Sequence, residues 1–221
     1  MANIFTSSIG KKLIMSISGL FLILFLTIHV IINSLYIIGP NAFQAGCDFM
    51  ALPIVTIIVP VLAAGFAIHI FYAAYLTWTN RKARGNDRYA VPNKAQTDSW
   101  AAKNMFVLGF IVFGVLALHL THFWAKMQMQ DFIGHHSEDP NMLMELTFKS
   151  PINLVIYLIW FAALWLHLTH GFWSALHTIG LDNKTWIKRL KIIALVYATI
   201  LILGFTAVAI VAFMRANGIC C

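Results

Sequence analysis

The chain has 221 residues, of which 60% are hydrophobic and 10% charged. A soluble domain of this length carries about a quarter charged residues, so the composition excludes one. The formal net charge of +7, from 15 Lys and Arg against 8 Asp and Glu, is confined to alternate segments between apolar blocks, which excludes a nucleic-acid footprint and suits anionic lipid.

Five apolar blocks follow one another, each near the ~20 residues needed to cross a bilayer core. The first, Leu13 to Ile38, stands behind Lys11 and Lys12. It is longer than the apolar core of a secretory signal and ends in HVIINSLYIIGP without a small-residue cleavage site, so it reads as a retained helix. The others run from Pro53 to Trp78, Asn104 to Met127, Ile152 to His177 and Ile192 to Met214. The expected fold is an all-α integral membrane domain over residues 1–221, with five transmembrane helices.

Lysine and arginine placement predicts the orientation. The N-terminus (Lys11, Lys12), the loop after the second block (Arg81, Lys82, Arg84, Arg88, Lys94, Lys103) and the loop after the fourth (Lys184, Lys188, Arg189, Lys191) hold nearly all of them. These segments, the N-terminus included, are expected to face the cytoplasm. The other side has Lys126, Lys149 and Arg215 against Asp48, Asp131, Glu138, Asp139 and Glu145.

Cys47, Cys220 and Cys221 form no Cys-x-x-Cys-His haem-attachment sequence, and adjacent Cys220 and Cys221 make a poor disulfide pair. No glycine-rich phosphate loop occurs, and no carboxylate pair lies within the spans, so no nucleotide or hydrolytic site is indicated.

Histidine is the ionisable residue that remains inside the spans. His29, His69, His119, His122, His167 and His170 lie there, the last four in two copies of His-Leu-Thr-His. Burying an ionisable group is costly, which makes each a functional candidate. One histidine could simply hydrogen-bond a neighbouring helix; at least one on each of four successive helices argues for more.

Depth along the helices shows how they could pair. At ~1.5 Å per residue, His29 lies about 25 Å beyond Lys12 and His119 about 24 Å beyond Lys103, sharing a level in the outer half. On the returning helices His69 lies about 18 Å from Arg81, and His167 and His170 about 20 to 26 Å from Lys184, nearer the cytoplasm. Two levels, each served by two helices, suit a four-helix bundle that clamps two stacked haems through neutral imidazoles. With both axial positions filled, the expected chemistry is electron transfer.

Zinc or copper is the competing ligand, because His-Leu-Thr-His places two imidazoles on neighbouring turns of one face. The spans lack the carboxylates or thiolates such a pathway would use. His135 and His136, with Glu138 and Asp139, look more metal-like but fall in a polar loop.

Several stretches together carry a resemblance over almost the whole chain: SSIGKKLIMSISGLFLILFLTIH, HIFYAAYLTWTNRKARG, ALHLTHFW and WLHLTHGFWSALHTIG. The chain resembles the two-haem cytochrome b membrane anchor of succinate dehydrogenases and fumarate reductases, the single-chain, five-helix type. The resemblance implies one iron ligand from each of the first four helices, His29 with His119 for the outer haem and His69 with His167 for the inner. Its His-x-x-x-Gly pattern selects His167 over His170, with Gly171 one turn on, leaving room for the porphyrin edge. His122 and His170 then become neighbours that bond a propionate, quinone or backbone group, or merely pack.

The resemblance also places Ser16 near the inner propionates, where ordinary helix packing or back-bonding is the alternative; Trp100 and His177 are weaker candidates. It implies two b haems, menaquinone as the quinone, and docking of an iron-sulfur subunit coupled to a flavoprotein in a respiratory complex II of the bacterial cytoplasmic membrane. Polar groups that could serve a quinone are Asn33, Gln128, Gln130 and Asp131, as any interfacial loop could. Where some members have a membrane-embedded glutamate two residues before the fourth-helix ligand, this chain has Trp165, which puts transmembrane proton coupling in doubt. The histidine-free fifth helix is expected outside the bundle or against a second copy, a dimer being implied by the resemblance alone. Two alternatives stay open: an anchor of a hydrogenase or formate dehydrogenase, and a histidine-based metal transporter.

Overall fold

The computed structural model describes residues 7–84, 100–181 and 183–219. Arg88, Lys94, Cys220 and Cys221 lie outside the described residues, within which every regular element is helical. Five helices or helix pairs are long and apolar enough to cross a membrane.

The first span is α1 (Ser8–Ile38), which begins five residues before the apolar block. Ser7 accepts a hydrogen bond from Gly10 N at 3.1 Å, a cap worth about 1 kcal/mol. The helix ends at Gly39, and Pro40 starts α2 (Pro40–Met50), where its missing N–H costs nothing. The second span is broken into α3 (Pro53–Thr56) and α4 (Ile58–Arg84). Pro60 explains the break, because it cannot donate to the Thr56 carbonyl and its ring crowds that group.

The third span combines α5 (Trp100–Lys103), α6 (Met105–His119) and a π-helical turn over Leu120–Trp124. Within that turn Ala125 N bonds Leu120 O at 2.8 Å, five residues back. Two short helices follow, α7 (Gln128–Phe132) and α8 (Pro140–Lys149). The fourth span, α9 (Pro151–Thr178), starts with Ser150 as cap and proline in its first turn.

The fifth is α10 (Lys184–Ala216), capped by Asn183 through Trp186 N at 2.8 Å. The expected loop carrying Lys184, Lys188, Arg189 and Lys191 is therefore the first two turns of this helix. Two of these cations lie over indole rings, Arg189 above Trp186 at 5.4 Å and Lys191 above Trp173 at 4.6 Å. Those contacts let a helix continue past its apolar core with the charges still reaching solvent.

Cross-contacts define two ends. At the basic end, the Lys11 ammonium donates to the Tyr75 hydroxyl at 3.1 Å and Arg81 lies 5.0 Å from the Phe106 ring centre. At the opposite end, Arg215 of α10 donates to the carbonyls of Tyr36 and Ile37, closing the last turn of α1. There α2 and α8 lie over the spans, with Phe43, Leu143, Met144 and Phe148 buried beneath them. Neither helix was anticipated, because 10 or 11 residues give too short a window for a clear periodic signal.

The fifth helix packs against α9, α1 and α8, along a stripe that includes Ala194, Ala198, Leu201, Phe205, Ala209 and Ala212. Small side chains on such a stripe allow close backbone approach, a main source of helix association in lipid. By contrast no apolar side chain of the second span is fully buried, and α4 packs chiefly on α1.

Candidate functional site

Helices α1, α4, α6 and α9 form a ring: α1 packs on α4 and α9, α9 packs on α6, and α6 touches α4 lightly. The diagonal partners, α1 with α6 and α4 with α9, share hardly any backbone approach. Across each diagonal two imidazoles meet. His29 of α1 and His119 of α6 have ring centres 5.8 Å apart at an interplanar angle of 89°, and His69 of α4 and His167 of α9 are 6.4 Å apart at 69°.

Both separations lie within the range of about 4.5–7 Å for ordinary edge-on ring packing. Two rings joined by a direct N–H···N hydrogen bond have centres about 5 Å apart. One metal ion bound by both, with bonds of about 2 Å, holds the centres about 6 Å apart. Among the described residues no three His, Cys, Asp or Glu side chains converge, so the donor sets are pairs. Two imidazoles and no third donor suit the axial positions of a planar macrocycle better than a tetrahedral site, which needs three or four protein ligands.

The two pairs lie at different levels. Ser18 and Gly19 of α1 touch His69, so the level of His29 is ten or eleven residues further along, about 15 to 16 Å. On α6 the same interval separates Gly109, which faces His167, from His119, about 15 Å. The His69–His167 pair is nearer the basic end, where α1 begins.

Aromatic rings surround the other pair. Phe25 stacks on His29 at 5.2 Å and Phe205 lies at 5.7 Å, while Phe123 and Trp160 lie 5.1 and 5.5 Å from His119. The Trp160 indole donates to Val112 O at 3.1 Å, tying α9 to α6 beside the pair. Tyr157, almost wholly buried, places its hydroxyl 3.4 Å from His119 Nδ1 and 3.2 Å from His122 Nδ1. His122 stacks on the Tyr157 ring at 15°. The π-helical turn begins directly after His119, so His119 and His122 do not keep the α-helical register assumed from sequence, whereas His167 and His170 do.

Around His69 and His167 the contacts come from small residues. Ser18 Oγ lies 3.2 Å from His69 Nδ1. A methyl added at Gly19 would stand 3.2 Å from His69 Cε1, and one at Gly109 would stand 3.6 Å from His167 Cε1. His167 Nδ1 is buried without a hydrogen-bond partner among the described residues. Such a group costs about 1–3 kcal/mol unless something compensates it. His170 packs edge-on against Trp173 at 5.2 Å.

The remaining candidates are scattered. Ser16 is buried on α1, and Gly171 faces Met105, whose methyl would be 3.3 Å from an added Cβ. Trp100 is exposed, and His177 lies against Trp173. Asn33 donates to His29 O at 2.8 Å and Gln130 to Ala125 O at 2.9 Å. Gln128 Oε1 is buried without a partner among the described residues, and Asp131 is exposed. Trp165 donates to Thr199 Oγ1 at 2.9 Å, a link to α10. His135 and His136 are exposed.

Cys47, on α2, is half-buried; burial, with Asp48 and Asp139 nearby, pushes its thiol up to about 12. It stays protonated near neutrality, which lowers its reactivity as a nucleophile. Ser18, Gly19, Gly109 and Tyr157 were missed in the sequence: serine and glycine in an apolar helix carry no ligand signature, and their relation to histidine exists only between helices.

No family model matches the chain, and no curated protein or solved structure matches it either.

Proposed function

We propose that this chain is the two-haem cytochrome b membrane anchor of a succinate:quinone oxidoreductase, passing electrons between an iron-sulfur subunit and menaquinone. The observation that carries the reading is the pair of diagonal histidine couples, with ring centres 5.8 and 6.4 Å apart at two levels of one bundle. His29 and His119 would hold the outer haem, His69 and His167 the inner.

Haem bound with two imidazoles supplies one-electron transfer and leaves no open position for oxygen. The chain's own contribution is spatial. The ring of helices holds each couple across a diagonal that the backbones do not fill, and Phe25, Phe123, Trp160 and Phe205 keep water from one of them. Two levels about 15 Å apart provide a path along the membrane normal. The basic end, with Lys11, Lys12, Lys103, Lys188, Arg189 and Lys191, forms the docking face for the iron-sulfur subunit and its flavoprotein partner. The positive charge of that end supports a cytoplasmic orientation, and the resemblance implies the cytoplasmic membrane of a bacterium.

The direct test is haem stoichiometry. The chain, purified in mild detergent with its partner subunits, should give a b-type reduced-minus-oxidised spectrum and two haems per polypeptide. Absence of haem from intact chain would refute the proposal; bound zinc or copper in its place would support histidine-based metal transport.

A further inference from the structure

We infer that Ser18 is a positioning residue for His69: its hydroxyl accepts the imidazole Nδ1–H, which keeps the Nε2 lone pair available to a metal. The use of that lone pair rests on the proposed haem site; the setting of the tautomer does not.

Proton counting makes the assignment. Ser18 Oγ lies 3.0 Å from Met15 O and 3.2 Å from His69 Nδ1. Ser18 donates its single hydroxyl proton back to Met15 O, the usual bond of a serine inside a helix, and the oxygen lone pair is left to receive the ring proton. A neutral imidazole has one N–H, and with that proton on Nδ1 the free lone pair is on Nε2. The opposite tautomer would set the Nδ1 lone pair against the Ser18 oxygen unless the hydroxyl gave up Met15, and would occupy Nε2 with hydrogen.

A second observation fixes the ring itself. Gly19, the next residue, lies beneath the same edge: an added methyl would stand 3.2 Å from Cε1 and 3.6 Å from Nδ1. Ser18 and Gly19 thus form one seat on α1, hydroxyl beside bare backbone, and the Nδ1–Cε1 edge of His69 rests in it. Ser18 itself is buried, which keeps water from competing for the ring proton. The seat is particular to His69. His167 rests over Gly109 without a hydroxyl, and its Nδ1 has no hydrogen-bond partner among the described residues. Hydrogen bonds to the outer nitrogen of a ligating histidine fix its orientation and raise its basicity, and their loss typically costs 10–100-fold in metal affinity. Greater basicity favours the oxidised metal, so removing Ser18 should raise the potential of the haem at this level.

The experiment compares wild type with Ser18→Ala, Ser18→Thr and Ser18→Cys. Transfer of haem to excess apomyoglobin and a redox titration resolving the two haems are measured on the complex. The 15N shifts of His69 are recorded on histidine-labelled chain without haem. Ser18→Ala should release one haem about 10–100-fold faster, raise that haem's midpoint, and move His69 from the Nδ1–H tautomer toward a mixture. Thr should restore all three, and Cys, which keeps the volume but not the strong acceptor, should not. Rescue by Cys, or two haems with unchanged release, midpoint and tautomer in Ser18→Ala, overturns the inference and leaves the function standing. A wild type that binds no haem refutes the proposed function instead; the 15N shifts then decide Ser18 alone, an unchanged tautomer in Ser18→Ala overturning its role.

Discussion

Replacing Gly65 with alanine tests how tightly the first two spans must meet. The new Cβ would stand 2.7 Å from Phe21 Cε1 and 2.8 Å from Cδ1, against an ordinary carbon contact of about 3.5–4.0 Å. Ring or helix must therefore retreat by about 0.8 Å. Overpacking of this kind costs about 1–3 kcal/mol, roughly 5- to 150-fold in the folding equilibrium. Gly65 lies one turn before His69 on the same face of α4, so the displacement is delivered to the Ser18 and Gly19 seat. Equilibrium unfolding in mixed SDS micelles, followed by tryptophan fluorescence, gives the cost, and haem retention gives the consequence. A cycle with Phe21→Ala isolates the contact: removing the ring should relieve most of the penalty, a coupling of about 1–3 kcal/mol. Additive effects within about 0.5 kcal/mol would refute the clash.

Other outcomes follow from the same geometry. His167→Ala should lose one haem and weaken assembly with the iron-sulfur subunit, while His170→Ala should keep both; pyridine haemochrome counts distinguish them, and the reverse result would exchange the two residues' roles. With the Cys47 thiol pushed up to about 12, maleimide labelling of a Cys220→Ser, Cys221→Ser chain should still be rising at pH 10, because the thiolate fraction grows tenfold per pH unit below its pKa; a plateau near pH 9 would show an ordinary thiol. Arg215→Ala removes the donor that serves the Tyr36 and Ile37 carbonyls and the cation 5.0 Å from the Tyr36 ring centre. It should destabilise the fold by about 1–2 kcal/mol in SDS unfolding. Lysine should recover only part of this, since it cannot reach both carbonyls in a planar fork.

The two copies of His-Leu-Thr-His show how one sequence serves two settings. On α9 the tetrapeptide stays in α register, with His167 toward His69 and His170 against Trp173. On the third span a π-helical turn opens just after His119, and His122 shares the Tyr157 hydroxyl with it. Nothing in the tetrapeptide distinguishes the copies. Tyr157 lies on α9, 35 residues from His122, and the contact needs the α6–α9 packing.

Features that depend on distance along one chain are legible before any packing is known. Five spans follow from block length and hydropathy, and the depth of each histidine follows from a fixed rise per residue. The helix ends were legible only where a proline or capping residue marks them, at Ser150 and Pro151 or at Gly39 and Pro40. The basic turns of α10 were not, because charge resembles a loop until Trp186 and Trp173 are seen to accept it. Tertiary structure alone decided that the helices carrying those histidine pairs stand on diagonals, that α10 covers α1 and α9, and that Ser18 and Gly19 seat His69. The reason is physical: a helix presents all its faces in sequence with equal clarity, and only packing against neighbours selects which face meets which.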